Sequence, residues 1–345
     1  MGAAEWWSKI NSSSQMIEDI LKSVKKRNSV VVNVFGAPFT EEFVEIMRSS
    51  LYMNDSENSF ELIDDSESSI AVEELLFGRY CPSDVANEYF PTPNNSKAKF
   101  IAHCKQFSLN SSTAWVRLSG EKRANEWLDF IKEYSENCDA MMHAVFVLQI
   151  NSESLQPVKT RNISSVFAKD YITPYDYYVY YMLETAQIPS YSALKKRYLA
   201  ELLASFCAND VATAERMFGR REEILERPVE LYSECSGADI QPAELQSRLW
   251  RAQMRVLFPE IEDFRYRIVQ KYIDEIQAAL PFPTVYKTEI NEPFELDLGN
   301  ILSMSRSGNV ILQSNDVDKM KNYKSIRDNL AHMKTSSYND VKKML

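Results

Sequence analysis

Three residues near the carboxyl end of the chain combine the side-chain types that phosphodiester cleavage needs. Arg327, Asp328 and His332 lie in the hexapeptide RDNLAH, and His332 is one of only three histidines in 345 residues. An imidazole accepts and donates protons near neutral pH, and a guanidinium fork fits the oxygens of a phosphate. Cleavage of RNA without a metal needs groups for both tasks. We therefore treat Arg327, Asp328 and His332 as candidate catalytic residues.

The spacing within this motif indicates how its residues would be used. On an α-helix five residues turn the chain by about 140°, so Arg327 and His332 do not share a face. Asp328 and His332 are four residues apart and do share one, and a hydrogen bond between them would fix the imidazole tautomer. An arginine and a histidine on different faces of one helix can act on the same phosphate when a second copy supplies the complementary residues. We therefore expect a homodimer.

Local charge around the motif is positive, although the whole chain is acidic. From residue 301 onward there are eight Lys and Arg residues and four Asp residues, a net charge of +4, whereas the complete chain carries −10. The acidic total argues against a protein that coats nucleic acid over a broad surface, but it leaves room for a local basic site. The candidate RNA-binding residues are Lys319, Lys321, Lys324 and Lys334.

The elements in the first half of the chain alternate between strand and helix. Four strands are predicted, SVVVNVF (29–35), FELID (60–64), TAWVRL (113–118) and HAVFVLQI (143–150), and amphipathic helical stretches separate them. Strands separated by helices are typical of an open α/β sheet whose strands are mostly parallel. From about residue 171 the pattern becomes helical, so the predicted fold is α/β followed by all-α.

The first strand, loop and helix, VVVNVFGAPFTEEFVEIM (30–47), resemble those of a P-loop NTPase of the AAA or STAND type. Gly36 and Thr40 remain from the phosphate-binding loop, but its second glycine and its lysine are absent. No strand is followed by a convincing magnesium ligand, since Asp64 and Asp65 follow only the second strand. The resemblance therefore implies a degenerate P-loop-like domain without ATPase activity.

The helical half contains one stretch that has two interpretations. The segment YDYYVYYML (175–183) begins after Thr173-Pro174, a favourable helix start. Its tyrosines are typical either of a base-stacking platform or of a packed helix. No Lys or Arg lies between Tyr171 and Gln187 to contact a nucleic-acid backbone, so a packed helix is favoured. Further along, residues 241–280 are predicted to form two long amphipathic helices.

RDNLAH, set late in this helical region, resembles the R-x4–6-H signature of the HEPN family. Many active HEPN proteins are metal-independent ribonucleases that work as dimers, while others use the fold only for binding or dimerisation. The resemblance implies three regions: an α/β P-loop-like domain (1–165), a helical region (166–238) and a HEPN-like domain (239–345). It also implies a defence-like or toxin-like effector that the NTPase-like domain regulates.

The cysteines and the remaining histidines are expected to be structural. The five cysteines are odd in number, widely spaced and without a C-x-x-C pair, which is typical of reduced thiols in a cytoplasmic protein. His103 is next to Cys104 but lacks further ligands at metal-site spacing, and His143 begins a strand. We therefore expect no metal and no cofactor. Apolar runs such as 144–148 are too short to cross a bilayer.

Two functions from different classes stay open at this point. The first is a metal-independent RNA-cleaving effector whose partners are RNA, a second copy and a regulatory protein. The second is a non-catalytic regulatory or scaffold protein that uses the helical domain for dimerisation or partner binding. A nucleotide-binding switch ranks last because the loop lysine is missing.

Overall fold

A computed structural model describes residues 2–54, 59–92, 94–138, 143–158, 160, 162–283 and 289–345. It separates the chain into two compact units, Met1–Asp176 and Tyr177–Leu345. The first unit contains the α/β part and the second is almost entirely helical. The finer division at 165/166 and 238/239 stays a prediction.

Five parallel strands form the sheet of the first unit, in the order β2-β3-β4-β1-β5. They are β1 (Ser29–Asn33), β2 (Phe60–Asp64), β3 (Thr113–Arg117), β4 (Val145–Ile150) and β5 (Ile163–Phe167). β1 lies between β4 and β5, and its central valines are fully buried, as expected for a strand covered on both faces. The predicted open parallel sheet is confirmed, and it is consistent with a P-loop-like α/β domain.

The fifth strand was not predicted from the sequence. β5 reads ISSVF, and its two central serines interrupt the apolar run that marks a buried strand. It lies at the sheet edge beside β1, where polar side chains are tolerated. The Ser165 hydroxyl accepts the Val158 N–H (2.9 Å) and lies 3.2 Å from the Val158 carbonyl. The edge position and these hydrogen bonds thus accommodate the two serines, while Ile163, Val166 and Phe167 of the same strand are buried.

Helices cover both faces of the sheet. Those of the first unit are α1 (Ala3–Lys9), α2 (Asn11–Lys25), α3 (Thr40–Asn54), α4 (Val72–Tyr80), α5 (Ser83–Ala86), α6 (Lys97–His103) and α7 (Glu121–Asn137). On one face, Trp127 of α7 packs against Phe146 of β4 (ring centroids 5.7 Å apart). On the other face, Phe43 of α3 lies between Trp7 (4.4 Å) and Trp115 of β3 (5.6 Å). The sheet is therefore the middle of a three-layer core.

Short helices make up the first part of the second unit: α8 (Pro174–Ala186), which begins at the boundary, α9 (Ala193–Cys207), α10 (Val211–Phe218), α11 (Arg221–Glu226) and α12 (Pro228–Ser236). The tyrosine-rich segment forms α8, in which Tyr177, Tyr180 and Tyr181 are buried while Tyr175 is 69% exposed. The Tyr181 hydroxyl donates to the Ala208 carbonyl (2.9 Å). These contacts are those of a packed helix, as predicted.

The remaining helices are α13 (Pro242–Lys271), α14 (Ile273–Ala278), α15 (Leu298–Arg306), α16 (Ser314–Ala331) and α17 (Tyr338–Val341). A two-stranded antiparallel pair, β6 (Phe282–Pro283) and β7 (Glu289–Ile290), lies between α14 and α15. α13 packs against both α9 and α16. It is one 30-residue helix that continues through Pro259, where a break between two helices was predicted. Its buried apolar stripe on both sides of Pro259 offsets the hydrogen bond that proline removes.

Candidate functional site

The RDNLAH motif lies at the carboxyl end of α16. Arg327 and Asp328 occupy its last full turn, and His332 is the first residue past the helix. The Met333 N–H donates to the Leu330 carbonyl (3.1 Å) and the Lys334 N–H to the Asn329 carbonyl (2.9 Å). This is the Schellman pattern of helix termination, and it places Met333 at a φ of 56°. The termination of α16 therefore determines the position of His332, the first residue beyond the helix.

Two buried or half-buried side chains of α13 hold the chain on both sides of His332. The Trp250 indole N–H donates to the Leu330 carbonyl (2.9 Å). The Gln253 side chain, 2% exposed, pairs with Ser336 in both directions: its amide donates to the Ser336 carbonyl (3.0 Å) and its oxygen accepts the Ser336 N–H (2.8 Å). These contacts anchor the motif segment to the longest helix of the unit.

Arg327 lies among three carboxylates. Its guanidinium is 3.4 Å from Asp297, 3.5 Å from Asp328 and 3.9 Å from Glu262. Asp297 is the N-cap of α15 and accepts the Asn300 N–H (2.8 Å), and Glu262 belongs to α13. The Arg327 side chain is 28% exposed. It therefore links three helices through charge, a role that the sequence did not reveal because Glu262 and Asp297 are distant along the chain.

His332 is separated from the other two motif residues. The imidazole is on an exposed residue, and the backbone N–H of His332 contacts the helix at the Asp328 and Asn329 carbonyls. The Asp328 carboxylate instead contacts Lys324 and Arg327. Within the part of the chain that the structure describes, no hydrogen bond joins the side chains of Asp328 and His332. One copy of the chain therefore brings Arg327 and Asp328 into contact (3.5 Å), and whether the three residues form one site stays a prediction.

Two of the four candidate RNA-binding lysines pair with carboxylates of their own helix. Lys321 pairs with Asp318 (3.5 Å) and Lys324 pairs with Asp328, both one helical turn away. Lys319 and Lys334 are exposed. The net charge of +4 already counts Asp318 and Asp328, and Glu262 and Asp297, which lie outside the counted segment, further balance Arg327. Whether these lysines contact RNA stays a prediction.

A second candidate site is the carboxyl edge of the sheet, where open α/β folds bind ligands. The strand order reverses between β4 and β1, and Asn33, 2% exposed, fills that point. Its amide donates to the Ser152 carbonyl (2.6 Å), and its oxygen accepts the N–H groups of Phe35 (3.1 Å) and Ser152 (3.2 Å). Asn33 thereby ties the loop after β1 to the loop after β4.

The loop after β1 closes on itself. The Ala37 N–H donates to the Val34 carbonyl (2.9 Å), and Gly36 has a φ of 83°, as the third residue of a type II turn requires. A phosphate-binding loop would direct such backbone donors toward its ligand. This donor is used within the turn, which agrees with the missing glycine and lysine in the sequence.

The two acidic residues after β2 have separate structural roles. Asp64 accepts hydrogen bonds from Ser66, which lower the pKa of the Asp64 carboxyl. Asp65 is buried. Its carboxylate accepts hydrogen bonds from Nε and Nη2 of Arg123 (2.6 and 3.0 Å) and from the Trp127 indole N–H (2.6 Å). Asp65 is therefore an anchor for α7. Among the described residues, no group of three or more His, Cys, Asp or Glu side chains is arranged to hold a metal ion.

Comparisons with known proteins give little further information. No model of a known protein family matches the chain, and no curated protein matches it. A solved structure of a mutant RuvB from Thermotoga maritima is 12% identical, with 90% of this chain and 93% of that chain covered and a TM-score of 0.31. A structure of Drosophila ORC bound to DNA is 10% identical, with 96% and 85% covered and a TM-score of 0.33. Both scores are too low to support a conclusion about this chain.

None of the helices in the described ranges is long and apolar enough to cross a bilayer.

Proposed function

We propose that this chain is a non-catalytic regulatory or scaffold protein of the cytoplasm, in which a P-loop-like domain without nucleotide chemistry accompanies a helical dimerisation module. The observation that carries the proposal is the position of Arg327 among Glu262, Asp297 and Asp328. In this proposal the division into residues 1–165, 166–238 and 239–345 is retained, and the last region is the HEPN-like module.

The electrostatics around Arg327 favour a structural role over phosphate binding. A phosphate that approaches the guanidinium also approaches three carboxylates, and like charges at such distances repel. The arginine would have to leave Asp297 and Glu262 before it could form a fork with phosphate oxygens. Because each of those carboxylates lies on a different helix, this exchange would also loosen the packing of the motif. Arg327 is therefore better suited to hold α13, α15 and α16 together.

The carboxyl edge of the sheet supports the same proposal for the first unit. Asn33 fills the point at which the strand order reverses, and the turn at Gly36 uses its own N–H donor. Hydrolysis of ATP would need both a phosphate cradle and a magnesium ligand. Asp65, the buried acidic residue at this edge, already accepts hydrogen bonds from Arg123 and Trp127. We therefore infer that the domain serves as a structural platform for the helical module.

RNA cleavage by a dimer is the second candidate, and one observation favours it. The His332 imidazole lies on an exposed residue just past the helix, so a second copy could bring its own Arg327 to it. Proton transfer by His332 with Arg327 of the other copy would be metal-independent. In this candidate Asp328 orients the site, and Lys319, Lys321, Lys324 and Lys334 contact RNA.

A cleavage assay separates the two functions. Purified protein is incubated with structured and with single-stranded RNA in EDTA, as wild type and as His332→Ala. The scaffold proposal expects no cleavage by either protein. Cleavage by the wild type that His332→Ala abolishes would overturn the scaffold proposal in favour of the ribonuclease.

Self-association tests the scaffold proposal directly. Light scattering is expected to show a wild-type dimer, whose dissociation constant increases about tenfold in Arg327→Ala because the motif surface loosens. Arg306→Ala is the matched control, since Arg306 is exposed and ends the neighbouring helix α15. A wild type that is monomeric at every concentration, or an equal effect of the two variants, would contradict the proposal.

A further inference from the structure

A cleft in the first unit lies between the second half of α2 and the last turn of α3, two helices that contact each other. Its volume is about 260 Å³. Arg27, two residues before β1, also lines it, so the cleft lies at the edge of the sheet where the parallel strands begin. Asn33 ends β1 at the opposite edge. The cleft therefore shares no residue with either candidate site described above.

Part of the cleft lining is apolar. Leu21 and Val24 of α2 and Leu51 of α3 contribute this part. Val24 and Leu51 are buried, and Leu21 is half-buried. An apolar group that displaces water from such a surface gains free energy in proportion to the area that it covers. This part of the lining therefore favours a ligand with an apolar chain.

The charged part of the lining is positive. Lys22, Lys25 and Arg27 line the cleft together with the acidic Glu18, and these four side chains sum to +2 in a chain whose total charge is −10. The carboxyl ends of α2 and α3 each contribute about −0.5 through the helix dipole, so the cleft as a whole carries a charge of about +1. That charge matches a single anionic group better than a polyphosphate.

The three cations differ in how readily they can contact a ligand. The Lys22 amine already lies 3.1 Å from the Asp19 carboxylate. The Arg27 guanidinium donates to the His143 carbonyl, which fixes the position of its charge. Lys25 is exposed, and within the described part of the chain no carboxylate lies within 4.0 Å of its amine. Lys25 can therefore contact an anion without breaking an ion pair.

We propose that this cleft binds a small monoanion that carries an apolar chain, of the class of medium-chain carboxylates. The carboxylate contacts Lys25, and the chain covers the three apolar lining side chains. A volume of about 260 Å³ holds roughly nine groups of the size of a water molecule, at about 30 Å³ each, which suits a chain of about eight carbons. The proposal does not depend on the function proposed above, because none of these residues belongs to the RDNLAH motif or to the second unit.

A series of ligands tests the proposal on the complete wild-type chain. The protein is titrated calorimetrically with octanoate below the concentration at which octanoate forms micelles, and we expect saturable binding at one site. Butanoate should bind at least about tenfold more weakly, because its shorter chain covers less apolar surface. Octylammonium has the same chain length and the opposite charge, and it should also bind at least about tenfold more weakly.

Two consecutive lysines provide a matched pair of variants. Lys25 and Lys26 are both exposed, but only Lys25 lines the cleft among the described residues. Lys25→Glu should weaken octanoate binding about tenfold. Lys26→Glu makes the same change in charge and should alter the affinity less than about twofold, since solvent and salt screen its more distant charge. Octanoate should also raise the midpoint of thermal unfolding of the wild type and of Lys26→Glu more than that of Lys25→Glu.

Three results would overturn the proposal. The first is that the wild type shows no saturable binding of free octanoate at millimolar concentrations, whether or not it binds anionic lipid vesicles. The second is that octylammonium binds as tightly as octanoate. The third is that Lys25→Glu and Lys26→Glu change octanoate binding equally. The first two results come from the wild type alone and do not depend on the folding of a variant.

Discussion

At the scale of single residues, the Asn33 side chain is an anchor point between two loops of the sheet edge. Its side chain makes three hydrogen bonds that join the loops after β1 and β4, and the residue is buried. Asn33→Ala would leave two N–H groups and one carbonyl without these partners, each in a partly buried position. We expect a loss of about 2–3 kcal/mol in the free energy of unfolding of the first unit, measured with urea.

Asn54→Ala is the matched control for that experiment. The Asn54 amide is exposed and, among the residues that the structure describes, donates to the Ser50 carbonyl of its own helix, so its removal should change the free energy of unfolding by less than about 0.5 kcal/mol. If Asn33→Ala is as mild as Asn54→Ala, Asn33 does not hold the two loops together. Gain of ATP binding in Asn33→Gly would instead mean that the asparagine blocks a site that is otherwise intact.

Residue types that could do chemistry were identifiable from the sequence, whereas their partners were not. RDNLAH is recognised by local spacing, and it lies where a helix ends. The carboxylates that contact Arg327 come from α13 and from the cap of α15, and only the fold brings them near. Similarly, Asp65 was visible after β2, but its partner Arg123 follows β3. Long-range contacts of this kind depend on tertiary packing, which a single sequence does not specify locally.

At the scale of elements, the end of α16 contains a residue that is unfavourable for its backbone conformation. Met333 has a φ of 56°, a region in which a residue with a Cβ is disfavoured by about 1 kcal/mol. Its side chain is 79% exposed and contributes little packing. Met333→Gly should therefore raise the free energy of unfolding of the second unit by about 0.5–1 kcal/mol, as measured by chemical denaturation.

Ala331→Gly, two residues before Met333, is the opposite case. Ala331 is the last residue of α16 and is exposed, so glycine there only adds backbone freedom to the unfolded chain. It should lower the free energy of unfolding by up to about 1 kcal/mol. If Met333→Gly lowers the free energy of unfolding as Ala331→Gly does, the left-handed conformation at Met333 does not cost stability.

Elements with strong periodicity were predicted well, and those that depend on context were not. The first four strands are apolar and β-branched, and the structure contains all of them. β5 was missed because Ser164 and Ser165 interrupt its apolar run; Ser164 donates to the Ser29 carbonyl of β1 and Ser165 to the Val158 carbonyl. Two helices lie within 241–280 as predicted, but the first continues across Pro259 to Lys271 and the second is only Ile273–Ala278, because the apolar stripe of α13 continues past the proline. In both cases packing outweighs a local signal that is correct on average.

At the scale of the whole molecule, the two compact units allow a test of how the chain unfolds. Each unit has its own buried core, and chains with more than one core commonly unfold in more than one step. Two probes are available, one in each unit. Asp65→Asn removes a buried charge from the bidentate Arg123 contact, which should cost about 3–5 kcal/mol, and Met333→Gly should stabilise the other unit.

We expect two calorimetric transitions in the wild type. Asp65→Asn should lower the midpoint of one transition by about 10 °C and leave the other within about 1 °C, because its contacts all lie in the first unit. Met333→Gly should raise only the second midpoint, by about 2 °C, and the double variant should show both shifts unchanged. If instead both substitutions move one shared transition, the units unfold together. The free energies of the single variants would then have to be assigned to the whole chain.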